Sequence, residues 1–110
     1  MKKKYQNMLL NAGEMIGKIP RVSTTGATAT VAVYNRAYYD YAEACNYLGI
    51  ITAYIKNIEM IEKNIRKYKN VPGYDIEEWE DMVDFYDEHI DKAYEDLKEF
   101  IEERENYRWS

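Results

Sequence analysis

The stretch from Tyr74 to Trp109 decides the fold: YDIEEWEDMVDFYDEHIDKAYEDLKEFIEERENYRW. It reads as one long helix. Just before it, Val71-Pro72-Gly73-Tyr74 has turn chemistry, since Pro72 pre-sets the backbone and Gly73 accepts the positive φ that a type II turn needs next. Asp75 then falls at an N-cap position, with Glu78 three residues on as in a capping box. Tyr74 and Trp79 have the spacing of a hydrophobic staple. Apolar residues recur every three or four positions: Ile76, Trp79, Val83, Tyr86, Ile90, Ala93, Leu97 and Phe100, with Arg104 and Tyr107 continuing the seam. Opposite run Glu77, Asp81, Asp84, Glu88, Asp91 and Glu95. The helix thus has a seam for packing and a column of carboxylates. About 33 residues at 1.5 Å rise would extend roughly 50 Å.

Residues 31–69 carry a matching stripe: Tyr34, Ala37, Tyr41, Ala44, Leu48, Ile51, Ile55, Ile58 and Ile65, widened by Ile61 and Tyr68. Glu59 with Lys63, and Glu62 with Arg66, have the favoured i,i+4 orientation. Gly49 interrupts this helix at a cost of about 1 kcal/mol relative to Ala; it marks either tolerated slack or a close backbone approach. The short Pro-Gly connection makes the two long helices antiparallel neighbours. Counting outward from the turn places Ile55 near Ile90, Ile51 near Ala93, Leu48 near Leu97 and Ala44 near Phe100, and it predicts an Arg104–Asp40 ion pair at the open end.

Upstream, Tyr5, Met8, Leu9, Ala12, Met15 and Ile16 define a short amphipathic helix over residues 4–16, ended by Gly17 and Pro20. Residues 17–30 form a small-polar connector, with the next helix beginning near Thr28 to Val31 behind a Thr cap. The expected fold is one all-α domain, a long antiparallel helical hairpin (31–69 and 75–107) with a short N-terminal helix. Tyr38, Tyr39, Tyr47, Tyr54, Met60, Met82, Phe85 and Tyr94 lie off the seam and need burial, which dimerisation into a four-helix bundle or a different partner would supply.

A chain of 110 residues has room for one modest core. Its net charge of −5 conceals polarity: residues 1–70 hold eleven bases and five acids, +6, whereas residues 71–110 hold four bases and fifteen acids, −11. Twelve Tyr against two Phe suit amphipathic surfaces. One cysteine, Cys45, excludes an internal disulfide framework and fits a reducing, cytoplasmic setting. The uncharged run Ala44 to Ile55 is too short for a membrane span, and Asn7, Asn11 and Glu14 interrupt the signal-peptide resemblance of Lys2-Lys3-Lys4.

The chemistry is sparse, so we expect no enzyme, no cofactor and no metal site. His89, the single histidine, has Phe85, Tyr86, Lys92 and Ala93 at i±3 and i±4, where a helical metal site needs ligands. Cys45 falls about two turns from the level of His89 and reads as a small buried residue. Exposed carboxylates lack the desolvation that separates acid from base. Ser23-Thr24-Thr25-Gly26 lacks the Lys and spacing of a phosphate loop. Lys56, Lys63, Arg66, Lys67 and Lys69 form a basic end, which the acidic neighbour is expected to neutralise in preference to nucleic acid.

The acidic column has two readings. It is a solvated face, favoured at its start by the helix dipole, or it is a binding face. Glu77–Asp81, Glu80–Asp84, Asp84–Glu88 and Asp87–Asp91 are like-charged i,i+4 pairs, each opposing the helix by about 0.2–0.5 kcal/mol. Such a run asks for a basic surface, and carboxylates at one-turn intervals flanked by aromatics imitate a phosphate backbone. The leading expectation is a non-enzymatic protein-binding module, an inhibitor of the phage anti-defence type. Its acidic face (Glu77, Asp81, Asp84, Glu88, Asp91, Glu95) would occupy a basic surface of a nucleic-acid-processing partner, with aromatic contacts from Tyr38, Tyr39 and Phe85. The alternatives are a structural protein assembling as a homodimer or larger bundle, and a helical nucleic-acid binder using the basic end.

Overall fold

A computed structural model describes residues 1–20 and 31–107, with side chains described for 1–20 and 37–105. Residues 21–30 of the connector with the Ser23–Gly26 segment, the Thr cap, Trp109 and the side chains of Tyr34 and Tyr107 lie outside the described residues. The structure is all-α: α1 spans Lys3–Gly17, α2 Val31–Tyr68 and α3 Ile76–Tyr107. The described residues extend over 67 × 22 × 20 Å.

The turn before α3 follows its local chemistry. Gly73 has φ +95°, and the Asp75 carboxylate accepts the backbone N–H of Glu78 at 3.0 Å. Among the described residues only this forward half of the capping box forms. The Tyr74 ring lies 5.9 Å from Trp79 and stacks at 4.2 Å on Tyr68, so three rings close the tip of the hairpin.

The register of α2 on α3 is antiparallel, as the spacing predicts. Ile51 and Ile55 share a core cluster with Ile90 and Ala93. Ala44 and Leu48 pack with Leu97 and Phe100. At the open end Arg104 Nε lies 3.3 Å from Asp40 Oδ1, and the Asp40 residue is only 3% exposed. This contact is an ion pair by distance, not an aligned hydrogen bond, because Arg104 Nε is buried without a hydrogen-bond partner. The guanidinium also sits 3.7 Å from the centre of the Phe100 ring, a cation–π contact that holds it over the seam. Fully buried aliphatic side chains at Ile51, Ile55, Ile58, Ile90 and Leu97 each contribute about 1.5–3 kcal/mol by leaving water.

The short helix runs along one flank of this hairpin. Lys2 pairs with Glu62, Lys4 with Asp87, and Lys18 with Glu105, which sets α1 parallel to α3 and antiparallel to α2. Tyr5 enters the cluster around Ile55 and Ile90, while Ala12, Ile16 and Ile19 enter the one around Leu97. Lys2, at the N-cap of α1, makes no side-chain cap, and no acid stands in the first turn. Tertiary packing and these cross-helix pairs secure a helix start that its own sequence opposes.

Two expectations change, and of the two readings of Gly49 the structure favours tolerated slack. Tyr41 is exposed, because Asp40 takes the seam position opposite Arg104. Gly49 is exposed and an added Cβ would meet nothing within 4 Å, so no backbone approaches it. Ile61, Ile65 and Tyr68 are only half-buried, since α1 begins at the level of Glu62 and the tip beyond is two helices thick. Of the off-seam apolar residues, Tyr47, Tyr54 and Tyr94 are half-buried within the chain, whereas Tyr38, Tyr39, Met60, Met82 and Phe85 stay exposed.

Candidate protein-binding face

Helical spacing puts Glu77, Asp81, Asp84, Glu88 and Glu95 along the outer face of α3, and all five are exposed. None of them has an ion pair among the described residues. Asp91 differs. Lys4 reaches across from α1 and straddles it and Asp87, at 3.1 Å and 3.2 Å. The like-charge opposition between Asp87 and Asp91 is thereby offset, while the other three i,i+4 pairs keep theirs.

Tyr5 completes this cluster, its hydroxyl donating to Asp87 Oδ1 at 2.6 Å. That hydrogen bond is the main reason the Asp87 carboxyl titrates below its ordinary range, with Lys4 assisting and partial burial opposing. Burial, then the same bond, pushes the Tyr5 hydroxyl well above its ordinary value. Burial works against the Lys4 ammonium, but hydrogen bonds to Asp91 and Asp87 raise it on balance.

The basic end of α2 does not neutralise the column. Among the described residues the ion pair joining α2 to α3 runs the other way, acid on α2 and base on α3, at Asp40–Arg104. The reason is geometric: Ile51, Tyr54, Ile58, Ile61, Ile65 and Tyr68 take the side of α2 facing α3, which turns Lys56, Lys63 and Arg66 outward. The pairs Glu59–Lys63 and Glu62–Arg66 do not form either; Glu62 engages Lys2 instead.

The expected aromatic contacts are not gathered in one place. Phe85 adjoins the column, within a turn of Asp81 and Glu88, and is 54% exposed with its ring 4.1 Å from that of His89. Tyr38 and Tyr39 form an edge-to-face pair, 5.8 Å between ring centres, on α2 beyond Asp40. Asp40 is level with Arg104, nine residues past Glu95, so these rings sit at least about 13 Å further along the axis. They are not part of the ridge.

His89 is exposed, and its Nδ1–H donates to the Phe85 carbonyl at 2.8 Å. Among the described residues no group of three or more His, Cys, Asp or Glu could hold a metal ion. Cys45 is half-buried, not the buried residue expected. No helix among the described residues is long and apolar enough to cross a membrane. The Lys4–Tyr5–Asp87–Asp91 cluster escaped the sequence reading. Its one local signal is that Lys4 stands beside Tyr5, the largest buried side chain of its helix.

No family model, curated protein or solved structure matches this chain. The site therefore rests on its own geometry. A row of carboxylates about one helical turn, roughly 5.4 Å, apart attracts cations along a line and offers hydrogen-bond acceptors to Arg and Lys.

Proposed function

We propose that this chain is a non-enzymatic protein-binding module. Its acidic ridge on α3 occupies a basic, nucleic-acid-binding surface of a partner and blocks it, in the manner of phage inhibitors of host defence. One observation carries the reading: five exposed carboxylates, four at one-turn spacing and Glu95 two turns on, have no ion pair among the described residues, although a basic helix lies alongside. Like charges left together oppose the helix, and a basic partner relieves that opposition on binding. Asp91, tied to Lys4, belongs to the scaffold more than to the contact surface.

The test is affinity capture of a basic partner by wild type and by a variant combining Asp81→Lys, Asp84→Lys, Glu88→Lys and Glu95→Lys. Capture should disappear in the variant and weaken steeply as salt rises from 0.05 to about 0.5 M, where the screening length shortens severalfold. An unchanged set of captured proteins would sink the proposal.

A second reading has its own observation. Ile50, Met82 and Phe85 are 45%, 39% and 54% exposed on the hairpin away from α1. A homodimer using this flank would be a structural assembly with the acids serving solubility. Light scattering of Phe85→Lys against wild type separates the two: a dimer that falls to monomer without loss of capture assigns the flank to self-assembly alone.

A further inference from the structure

Where α1 begins on the side of α2, the two helices flank an open cleft of about 670 Å³ that the acidic ridge does not touch. Its rim holds four cations, Lys2 from the start of α1 and Lys56, Lys63 and Arg66 from α2. Against them stand Glu59 and Glu62. Glu62 is tied to Lys2 at 3.2 Å, so that pair is satisfied internally. Lys56, Lys63 and Arg66 have no ion pair among the described residues and face a single carboxylate, Glu59. Tyr5 and Ile58 lie beneath it, already buried at 2% and 1% exposure, and the apolar surface it presents comes from Met60, 65% exposed.

We propose that this cleft binds a small phosphorylated ligand of nucleotide size, its phosphates on Lys63, Arg66 and Lys56 and its flat body against the exposed Met60 side chain. The volume lies within the range of about 300–1,000 Å³ common for small-molecule sites. An unpaired Arg offers a fork of donors matched to phosphate, and neighbouring Lys side chains add point charge. Exposed Met60 favours a ligand with a ring or hydrocarbon part over a bare anion. The inference goes beyond the protein-binding reading and uses a different surface, so either can fail alone.

Titration calorimetry with ATP as the probe tests it, with inorganic triphosphate and a ten-nucleotide oligothymidine as the other arms. Wild type should bind one ATP per chain. Affinity should fall at least about tenfold in Lys63→Ala/Arg66→Ala, the loss of roughly 1.4 kcal/mol expected when charge-assisted bonds go, and should not change in Lys98→Ala. Triphosphate should bind more weakly than ATP. The four-site reversal of the α3 ridge should retain ATP binding, and far-UV circular dichroism should show every variant as helical as wild type. Absence of saturable ATP binding, or equal weakening by Lys98→Ala, overturns the proposal. So does triphosphate binding as tight as ATP, or binding of the oligonucleotide alone, which would make the rim a nucleic-acid surface.

Discussion

The two flanks of the α2–α3 hairpin solve the same problem differently. On one, α1 lies along the groove and buries Tyr5, Ala12, Ile16 and Ile19, while Lys4 and Lys18 draw the carboxylates of α3 into pairs. On the other, no helix is added among the described residues. Rings cover one another instead: Tyr47 on Phe100 at 5.7 Å, Tyr54 on Tyr86 at 5.3 Å, Phe85 on His89 at 4.1 Å. Tyrosine suits that second role, because its ring covers apolar surface while its hydroxyl stays in water. The chain's preference for Tyr over Phe thus has a structural meaning: much of the hairpin is roofed by residues that are themselves half-wet.

The largest expected effect breaks the covered flank. Tyr5→Ala should destabilise by about 3–5 kcal/mol in urea unfolding, through a cavity beside Ile55 and Ile90 and loss of the bond to Asp87. Tyr54→Ala on the open flank should lose clearly less, about 1–2 kcal/mol, because its ring is already half-exposed. Equal losses would mean that α1 adds no more than the rings do.

Next comes the open end, where both flanks meet. Arg104→Leu removes a charge partner from buried Asp40 and should destabilise by roughly 2 kcal/mol, below the usual buried-pair range because Arg104 keeps some solvent contact. Lys18→Ala removes an exposed pair with Glu105 and should change stability by no more than about 0.5 kcal/mol. A comparison of the two melting curves checks this.

A smaller effect appears in pH dependence. The folded state depresses Asp87, so its contribution is present above the ordinary carboxylate value of 3.8 and is lost as pH falls through and below it. The folded state raises Tyr5, so stability is fully present below pH 10.0 and declines as pH rises beyond it, where the unfolded chain ionises first. Tyr5→Phe removes the hydroxyl responsible for both and should flatten stability at both ends of a pH series. An unchanged profile would exclude the Tyr5–Asp87 bond as its source.

A last effect lies outside both flanks. Gly49→Ala should stabilise by about 1 kcal/mol, since the exposed Cβ meets nothing and helix propensity improves. Destabilisation would restore the close-approach reading.

The seam was legible because spacing alone specifies it: Ile76 to Phe100 and Ala37 to Ile58 recur at three and four, and the short turn sets their register well enough to place Arg104 opposite Asp40. Tyr41 was misplaced because an apolar ring and Asp40 compete for the seam, and only the position of Arg104 decides between them. The seat of α1 was not legible. Its stripe shows that one face is buried but not which groove receives it, so Lys4 near Asp87 and Asp91, Lys2 near Glu62, and the basic cleft all escaped notice. Within the ridge, spacing identified the carboxylates. It could not foresee that Asp91 has a partner from a helix more than eighty residues away in sequence.

The level at which α1 starts has a consequence for how the molecule opens. From Glu62 outward no third helix covers the hairpin among the described residues, and Ile61, Ile65, Trp79 and Val83 are only half-buried, whereas Ile51, Ala44 and Leu97 are fully enclosed. Local unfolding follows buried contact, so amide hydrogen exchange should run as a gradient, fastest at the Tyr68–Trp79 tip and slowest at mid-helix. The first carboxylates of the ridge, Glu77 and Asp81, ride on the end that breathes, and the last, Glu95, on the end that does not. A partner gripping the whole ridge would therefore slow exchange most at the tip, far from the residues that are already protected.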